Sequence, residues 1–352
     1  MEVTETTLRE DLYRSVDKIK SFAELQKASI LVTGATGLIG SQIVKTLLLL
    51  NDLHGAEVYV LACVRNREKA HKIYGELLER RDLCLIVADI TNKTEIAENV
   101  DFIIHSASVT TSKTMIERPI ETICTAIAGT RNMLELAKEK HVRKFLYLSS
   151  MEVYGAFYEE NIEIDETKMG YIDPLSVRSN YPESKRMCEN LCVAYNREYG
   201  VPIVIARLAQ TFGAGVLAGE NRVFAQFARS IMNQKDIVLH TEGRTEGNYC
   251  YLGDAICALM LLLNSGKTGE AYNVVNEEMH ISIREMAELV CRLYGEGKSR
   301  VRFDIPSSNL YGYAQETKMK LTSKKLQNLG WTPEIGLEEA YRRLIEYLRE
   351  CE

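Results

Sequence analysis

The chain has 352 residues, 46% hydrophobic and 26% charged, with a formal net charge of -6. This balance suits one large soluble α/β unit or two closely associated domains, and the acidic excess argues against a nucleic-acid surface, which needs a basic stripe. The longest apolar run, residues 255–263, falls short of the roughly 18 residues of a membrane span and reads as a buried helix.

In chain order, residues 1–28 form an N-terminal extension. Leu8, Leu12, Val16, Ile19, Phe22 and Leu25 recur every three or four positions, a helical stripe that packs either on the core or on a partner subunit. Met1 to Glu5 lack the basic and apolar regions of a secretory signal. The nine cysteines show no Cys-x-x-Cys pair, and Cys188 and Cys192, four apart, have no nearby third ligand. Reduced structural thiols, a cytoplasmic location and no metal site are therefore expected.

A β-branched strand, Ser29–Thr33, runs into Gly34-Ala35-Thr36-Gly37-Leu38-Ile39-Gly40 and then an amphipathic helix. Glycines at this spacing between strand and helix let a pyrophosphate approach the backbone and the unpaired N–H groups of the helix start. A dinucleotide site is expected here. The next strand, residues 58–64, ends in Arg65 instead of an acid; an arginine there suits the 2′-phosphate of NADP, the other reading being a solvated strand-end cation. After a third strand, Asp89-Ile90 either reaches the adenine or caps a helix beyond Thr91. The fourth strand carries His105, read as structural, into a small-residue loop, Ser106-Ala107-Ser108, placed to pass beneath the cofactor.

The fifth strand delivers Ser149-Ser150-Met151-Glu152-Val153-Tyr154-Gly155. Strands alternating with helices five times over residues 30–150 imply a parallel, doubly wound sheet. Ligands bind beyond the carboxyl ends of such strands, so Ser150 and Glu152 are candidates for chemistry, the plain alternative being a strand end and turn cap. Tyr181 and Lys185, four apart on one helical face, would bring an ammonium to a phenol and lower its pKa toward neutrality. Hydroxyl, phenol and ammonium together can move the proton of an alcohol that a nicotinamide oxidises. Beyond residue 206 the chain turns irregular, and residues 207–352 read as mostly a smaller substrate lobe interleaved with the last strands of a dinucleotide domain spanning 29–206.

These residues resemble the extended short-chain dehydrogenase/reductase family, the NAD-dependent epimerase/dehydratases of nucleotide sugars. The resemblance covers nearly the whole chain from Ile30 to Pro333. It implies a Rossmann-type α/β fold with an interleaved C-terminal α/β lobe, a homodimer, and a nucleotide-diphosphate sugar as substrate. The cofactor it implies is NAD, so NAD(P) stays open beside Arg65. Gly34, Thr36, Gly37, Leu38, Ile39, Gly40, Arg65, Asp89, Ile90, Ser106 and Ala107 are expected to bind it, with Tyr181 and Lys185. Ser150, Glu152, Tyr181 and Lys185 are the expected catalytic set, and Ser108, Gln210, Arg222 and Arg244 the substrate contacts. Residues 170–186 look most like UDP-glucuronate decarboxylases, whereas Ser150-x-Glu152 is shared by decarboxylases and 4,6-dehydratases. In the dehydratase chemistry, C4 is oxidised with Tyr181 as base, Glu152 takes the acidified C5 proton, and water leaves C6. Two positions depart from the family pattern: Met151 stands where dTDP-glucose dehydratases have an aspartate, and Gly247 where decarboxylases have a substrate-contacting arginine. A 4,6-dehydratase is the expected function, with a decarboxylase, a 4-epimerase, a plain reductase and a dinucleotide-binding sensor or scaffold as alternatives.

Overall fold

The structure, a computed structural model, describes residues 5–157, 162–306 and 317–351; Met1 to Thr4 of the signal reading lie outside them. Strands β1 (Ser29–Thr33), β2 (Tyr59–Val64), β3 (Leu83–Val87), β4 (Phe102–His105) and β5 (Lys144–Ser150) join Ile203–Leu208 and Glu270–Val274 in one seven-stranded sheet. Every pairing is parallel, in the order β3-β2-β1-β4-β5, then Ile203–Leu208, then Glu270–Val274. Helices cover both faces, so β1, β4 and Ile203–Leu208 are buried throughout, which explains their unbroken apolar runs. The strand order reverses between β1 and β4, and that switch point is where such sheets open a crevice for ligand.

The crossover from β3 to β4 departs from the expected alternation, because residues 88–101 contain no helix. Asp89 accepts from the Thr91 backbone and hydroxyl at 2.9 and 2.8 Å, and Asn92 N–H bonds the Asp89 carbonyl at 3.0 Å. This closed turn competes with helix at a stretch rich in Thr and Asn.

The N-terminal stripe packs on this chain's own core. Helix α1 (Thr6–Ile19) buries Leu8, Leu12, Val16 and Ile19 against α2 (Leu38–His54) and the helices Leu252–Ser265 and Leu337–Cys351. Its Asp11 is also buried, paired with Arg343 at 2.8 Å and accepting from the Tyr251 hydroxyl. Burial raises the Asp11 pKa, and the hydrogen bond from Tyr251 and the Arg343 charge pull it back.

After β5 the chain also forms smaller sheets. Gln210–Phe212, Glu246–Tyr251 and Asn276–Ser282 form a three-stranded sheet, and Ile237–Leu239 pairs with Val301–Phe303. Glu270–Val274 returns between these segments to edge the main sheet. No described helix is long and apolar enough to cross a membrane.

Candidate active site

The glycine loop closes on the loop after β4. Gly34 has φ of +66°, and a Cβ there would sit 2.8 Å from Ala107 Cα. Ser106 Oγ donates to the Thr33 carbonyl at 2.5 Å, and Ala107 N–H to Thr33 Oγ1 at 3.2 Å. Gly37 caps α2 and donates to the Gly34 carbonyl at 2.8 Å, while a Cβ on Gly40 would strike that same carbonyl. Thr36, Gly37, Leu38 and Ile39 stay half-buried at the helix start, where the first-turn N–H groups are unpaired within the helix. The cradle fits a diphosphate, because positive φ and close backbone packing leave no room for side chains where phosphate would lie. Gly34→Ala is expected to weaken NAD binding by about tenfold or more, given the ~1–2 kcal/mol cost of a left-handed non-glycine residue and the collision with Ala107. Fluorescence titration with NADH measures it, and unchanged affinity would contradict the assignment.

The other cofactor candidates are differently placed. Ile90 is buried against Gly129 and its carbonyl accepts from Asn132 at 2.8 Å. Arg65 is exposed, with Glu121 at 3.9 Å. Asp89 serves the turn described above. His105 is fully buried between Thr33 at 2.8 Å and Thr130 at 3.2 Å, and burial lowers its pKa to about 3, so it is a neutral structural imidazole.

At the end of β5 the Ser150 side chain accepts from Glu152 N–H at 3.2 Å, so it does cap the following turn. It also meets the Tyr181 phenol. Tyr181 lies in the first turn of helix Asn180–Tyr199, which is tied to β5 by successive turns. Lys185 Nζ donates to the Leu148 carbonyl at 2.7 Å, and Ser149 Oγ donates to Glu189 at 2.6 Å. Glu189 is in turn held by the buried Arg207 at 2.7 Å, and Arg207 donates to Tyr154 Oη at 3.1 Å. Helical spacing of four puts Tyr181, Lys185 and Glu189 on one face, which is why a single helix can meet three consecutive strand residues.

The expected effect of Lys185 on the phenol is not what this geometry produces. Burial raises the Tyr181 pKa, the Glu152 charge adds to it, and the hydrogen bond with Ser150 and the Arg178 and Arg222 charges oppose it. Lys185, turned to the Leu148 carbonyl, lies 5.9 Å from the Tyr181 ring centroid. Burial brings Lys185 itself down to about 8.

Sequence reasoning assigned no role to Arg178. It lies in the short turn Val177–Ser179 just before the Tyr181 helix, and its Nη2 is 3.1 and 3.0 Å from the two oxygens of Glu152. Three residues before Tyr181, its position in the turn was the available signal.

Among the substrate candidates, Arg222 is held by Glu220 at 2.6 Å and its charge reaches Tyr181. Gln210 is half-buried in the lobe sheet opposite Tyr249. In the same sheet Gly247 faces Met151, whose Cε would be 3.7 Å from a Cβ there. The half-buried Ser108 bonds the Val109 carbonyl at 3.4 Å. Arg244 is exposed and lines an open pocket with Arg284, Glu246 and Lys318.

The strand-to-helix glycine loop lies at the switch point of a parallel sheet, and Ser150, Tyr181 and Lys185 gather at the end of the fifth strand, the pattern of a dinucleotide-dependent enzyme. The chain belongs to the NAD dependent epimerase/dehydratase family, whose model matches residues 30–275. Its cofactor is NAD. The chain is 31% identical to UDP-glucuronic acid decarboxylase 1 of Xenopus tropicalis, over 94% of this chain and 75% of that one. It is 26% identical to dTDP-D-glucose 4,6-dehydratase of Homo sapiens, over 91% and 90%. The crystal structure of UDP-glucuronic acid 4-epimerase from Bacillus cereus, with UDP-glucuronic acid and NAD, superposes with a TM-score of 0.76 at 21% identity, covering 92% of this chain and 100% of that one.

Proposed function

We propose that the protein converts a nucleotide-diphosphate hexose through a 4-keto intermediate and acts as a 4,6-dehydratase. The observation that supports 4-keto chemistry is the Glu152 carboxylate, held on the turn after Ser150 where its charge acts on the Tyr181 phenol, and dehydration is preferred over decarboxylation because Gly247, beside Met151, offers no cation to a uronate. The Gly34–Gly40 loop with Ser106 and Ala107 would hold NAD, which when bound would supply the oxidation at sugar C4 and the reduction at C6, with C5 taking a proton from solvent. Tyr181, acting as phenolate after its own proton has passed to solvent, takes the C4 hydroxyl proton, and Ser150 holds that oxygen in line. A ketone at C4 acidifies the C5 proton, which Glu152 removes as water departs from C6. The thioether of Met151 cannot donate a proton to the leaving hydroxyl, so the proton comes from Glu152 or from solvent. Ser108, Gln210, Arg222 and Arg244 are the proposed sugar-nucleotide contacts, and Arg222 is supported by its charge acting on Tyr181.

Incubation with UDP- and dTDP-hexoses in D2O is expected to place deuterium at C5 and yield a 4-keto-6-deoxy sugar. Failure of C5 exchange with every member of the panel would overturn the reading. Decarboxylation of a nucleotide-diphosphate uronate is the second reading, favoured by the 31% identity to a decarboxylase; carbon dioxide release from UDP-glucuronate would establish it. We also propose a cytoplasmic homodimer. Nine free cysteines suit a reducing compartment, and helices Pro119–Glu139 and Asn180–Tyr199 pack together yet leave Ile120, Met187 and Val193 exposed, the kind of apolar surface a second subunit covers.

A further inference from the structure

Ser150 and Glu152 lie in a segment that is fastened on both sides to one buried ion pair. Before them, Ser149 Oγ donates to Glu189 at 2.6 Å. After them, Tyr154, which ends the short turn Met151–Tyr154, accepts from Arg207 Nη1 at 3.1 Å. Glu189 and Arg207 close the circuit: the guanidinium grips the carboxylate through Nε at 3.0 Å and Nη2 at 2.7 Å, and the two side chains are 10% and 7% exposed. Further bonds hold the pair in place. Arg207 Nη1 also donates to the Glu166 carbonyl at 2.9 Å, and the Tyr154 hydroxyl donates to Asn273 Oδ1 at 2.6 Å. Burial pushes the Tyr154 phenol up to about 12, so it serves as a neutral donor.

We propose that Arg207 and Glu189 are positioning residues of the active site, setting the direction of Ser150 and Glu152 by holding Ser149 and Tyr154 on either side of them. This rests on the reading that Ser150 and Glu152 act on the sugar. Neighbouring residues of a strand project to opposite faces, so tying Ser149 to Glu189 fixes the pleat that turns Ser150 toward Tyr181. Glu189 shares a helical face with Tyr181 and Lys185, and the same pair therefore sets the register of that helix against β5. Desolvation offsets most of the attraction within a buried ion pair, whereas a guanidinium fork is rigid and directional. Such a pair is better suited to orient its neighbours than to stabilise the fold.

Two variants of the full-length protein test it. Tyr154→Phe removes one hydroxyl and keeps the ring, and Arg207→Lys keeps the buried charge but loses the fork. Each is expected to lower kcat on the nucleotide sugar that is turned over by roughly 10- to 100-fold, the scale set by misplacing a reacting group by about 1 Å, with KM within about threefold. Hydrogen-exchange mass spectrometry, which needs no substrate, should show residues 148–156 opening faster in both variants while residues 30–45 keep wild-type protection. Arg343→Met, whose ion pair lies outside the site, reports destabilisation alone, and below its melting temperature it should keep the wild-type kcat and the wild-type exchange at 148–156. Should Arg207→Lys fail to fold, Tyr154→Phe decides. A wild-type kcat in Tyr154→Phe, or faster exchange spread over the whole chain and not confined to the turn, overturns the proposal. Absence of C5 exchange with every sugar would remove the dehydratase reading, and hydrogen exchange at 148–156 would still decide whether the pair holds the turn.

Discussion

Tyr181→Phe is expected to lower kcat by about 10³-fold, within the range of a lost general acid–base, while the melting temperature moves by no more than a few degrees. The ring is buried, and phenylalanine keeps its shape and its packing between the end of β5 and the turn at Val177–Ser179. The only atom lost is the phenolic oxygen. Burial and the nearby Glu152 charge keep that oxygen a neutral hydroxyl, hydrogen-bonded with Ser150, so its loss costs little in stability. NADH and nucleotide-sugar affinities should stay within about threefold, because the diphosphate cradle and the lobe are untouched. Steady-state kinetics beside calorimetric titration separate the two effects. A kcat within tenfold of wild type would show that another group removes the C4 hydroxyl proton.

Arg343→Met should destabilise the fold by about 3–5 kcal/mol, the usual cost of stranding the partner of a buried ion pair. Arg343 and Asp11 are 5% and 8% exposed along their side chains, and Arg343 also donates to the Thr7 carbonyl at 3.3 Å and to Glu10 at 3.0 Å. With the guanidinium gone, Asp11 must either take up a proton or leave the core, and leaving means undocking α1 from the C-terminal helix. The double variant Asp11→Leu, Arg343→Met should recover most of the loss, since an apolar pair removes both desolvation penalties. Chemical denaturation and limited proteolysis of residues 5–20 report it. A loss under about 1 kcal/mol would mean that α1 is held by its apolar stripe alone.

Parts of the candidate site are set by local sequence. A glycine loop between a strand and a helix is a local constraint, because positive φ at Gly34 and the close approach at Gly40 depend on residues within a few positions or on one neighbouring loop. Tyr181 and Lys185 share a face by helical period alone, and alternating apolar segments led to the parallel sheet.

The remainder depended on contacts between distant parts of the chain. The stripe on α1 showed that one face is buried but not what buries it, and the answer involves Arg343, more than three hundred residues away. The missing helix after Thr91 followed from the turn that Asp89 closes. Arg178 met Glu152 because the turn after β5 and the turn before the Tyr181 helix face each other, a distance no spacing rule encodes. The direction of the Tyr181 pKa likewise came from burial and from where Lys185 points. Backbone conformation and helical period are set by near neighbours and so can be read from sequence, whereas desolvation and charge pairing are sums over whatever the fold brings close; this is why the chain's chemistry class was visible in the sequence and its charge arrangement only in the folded structure.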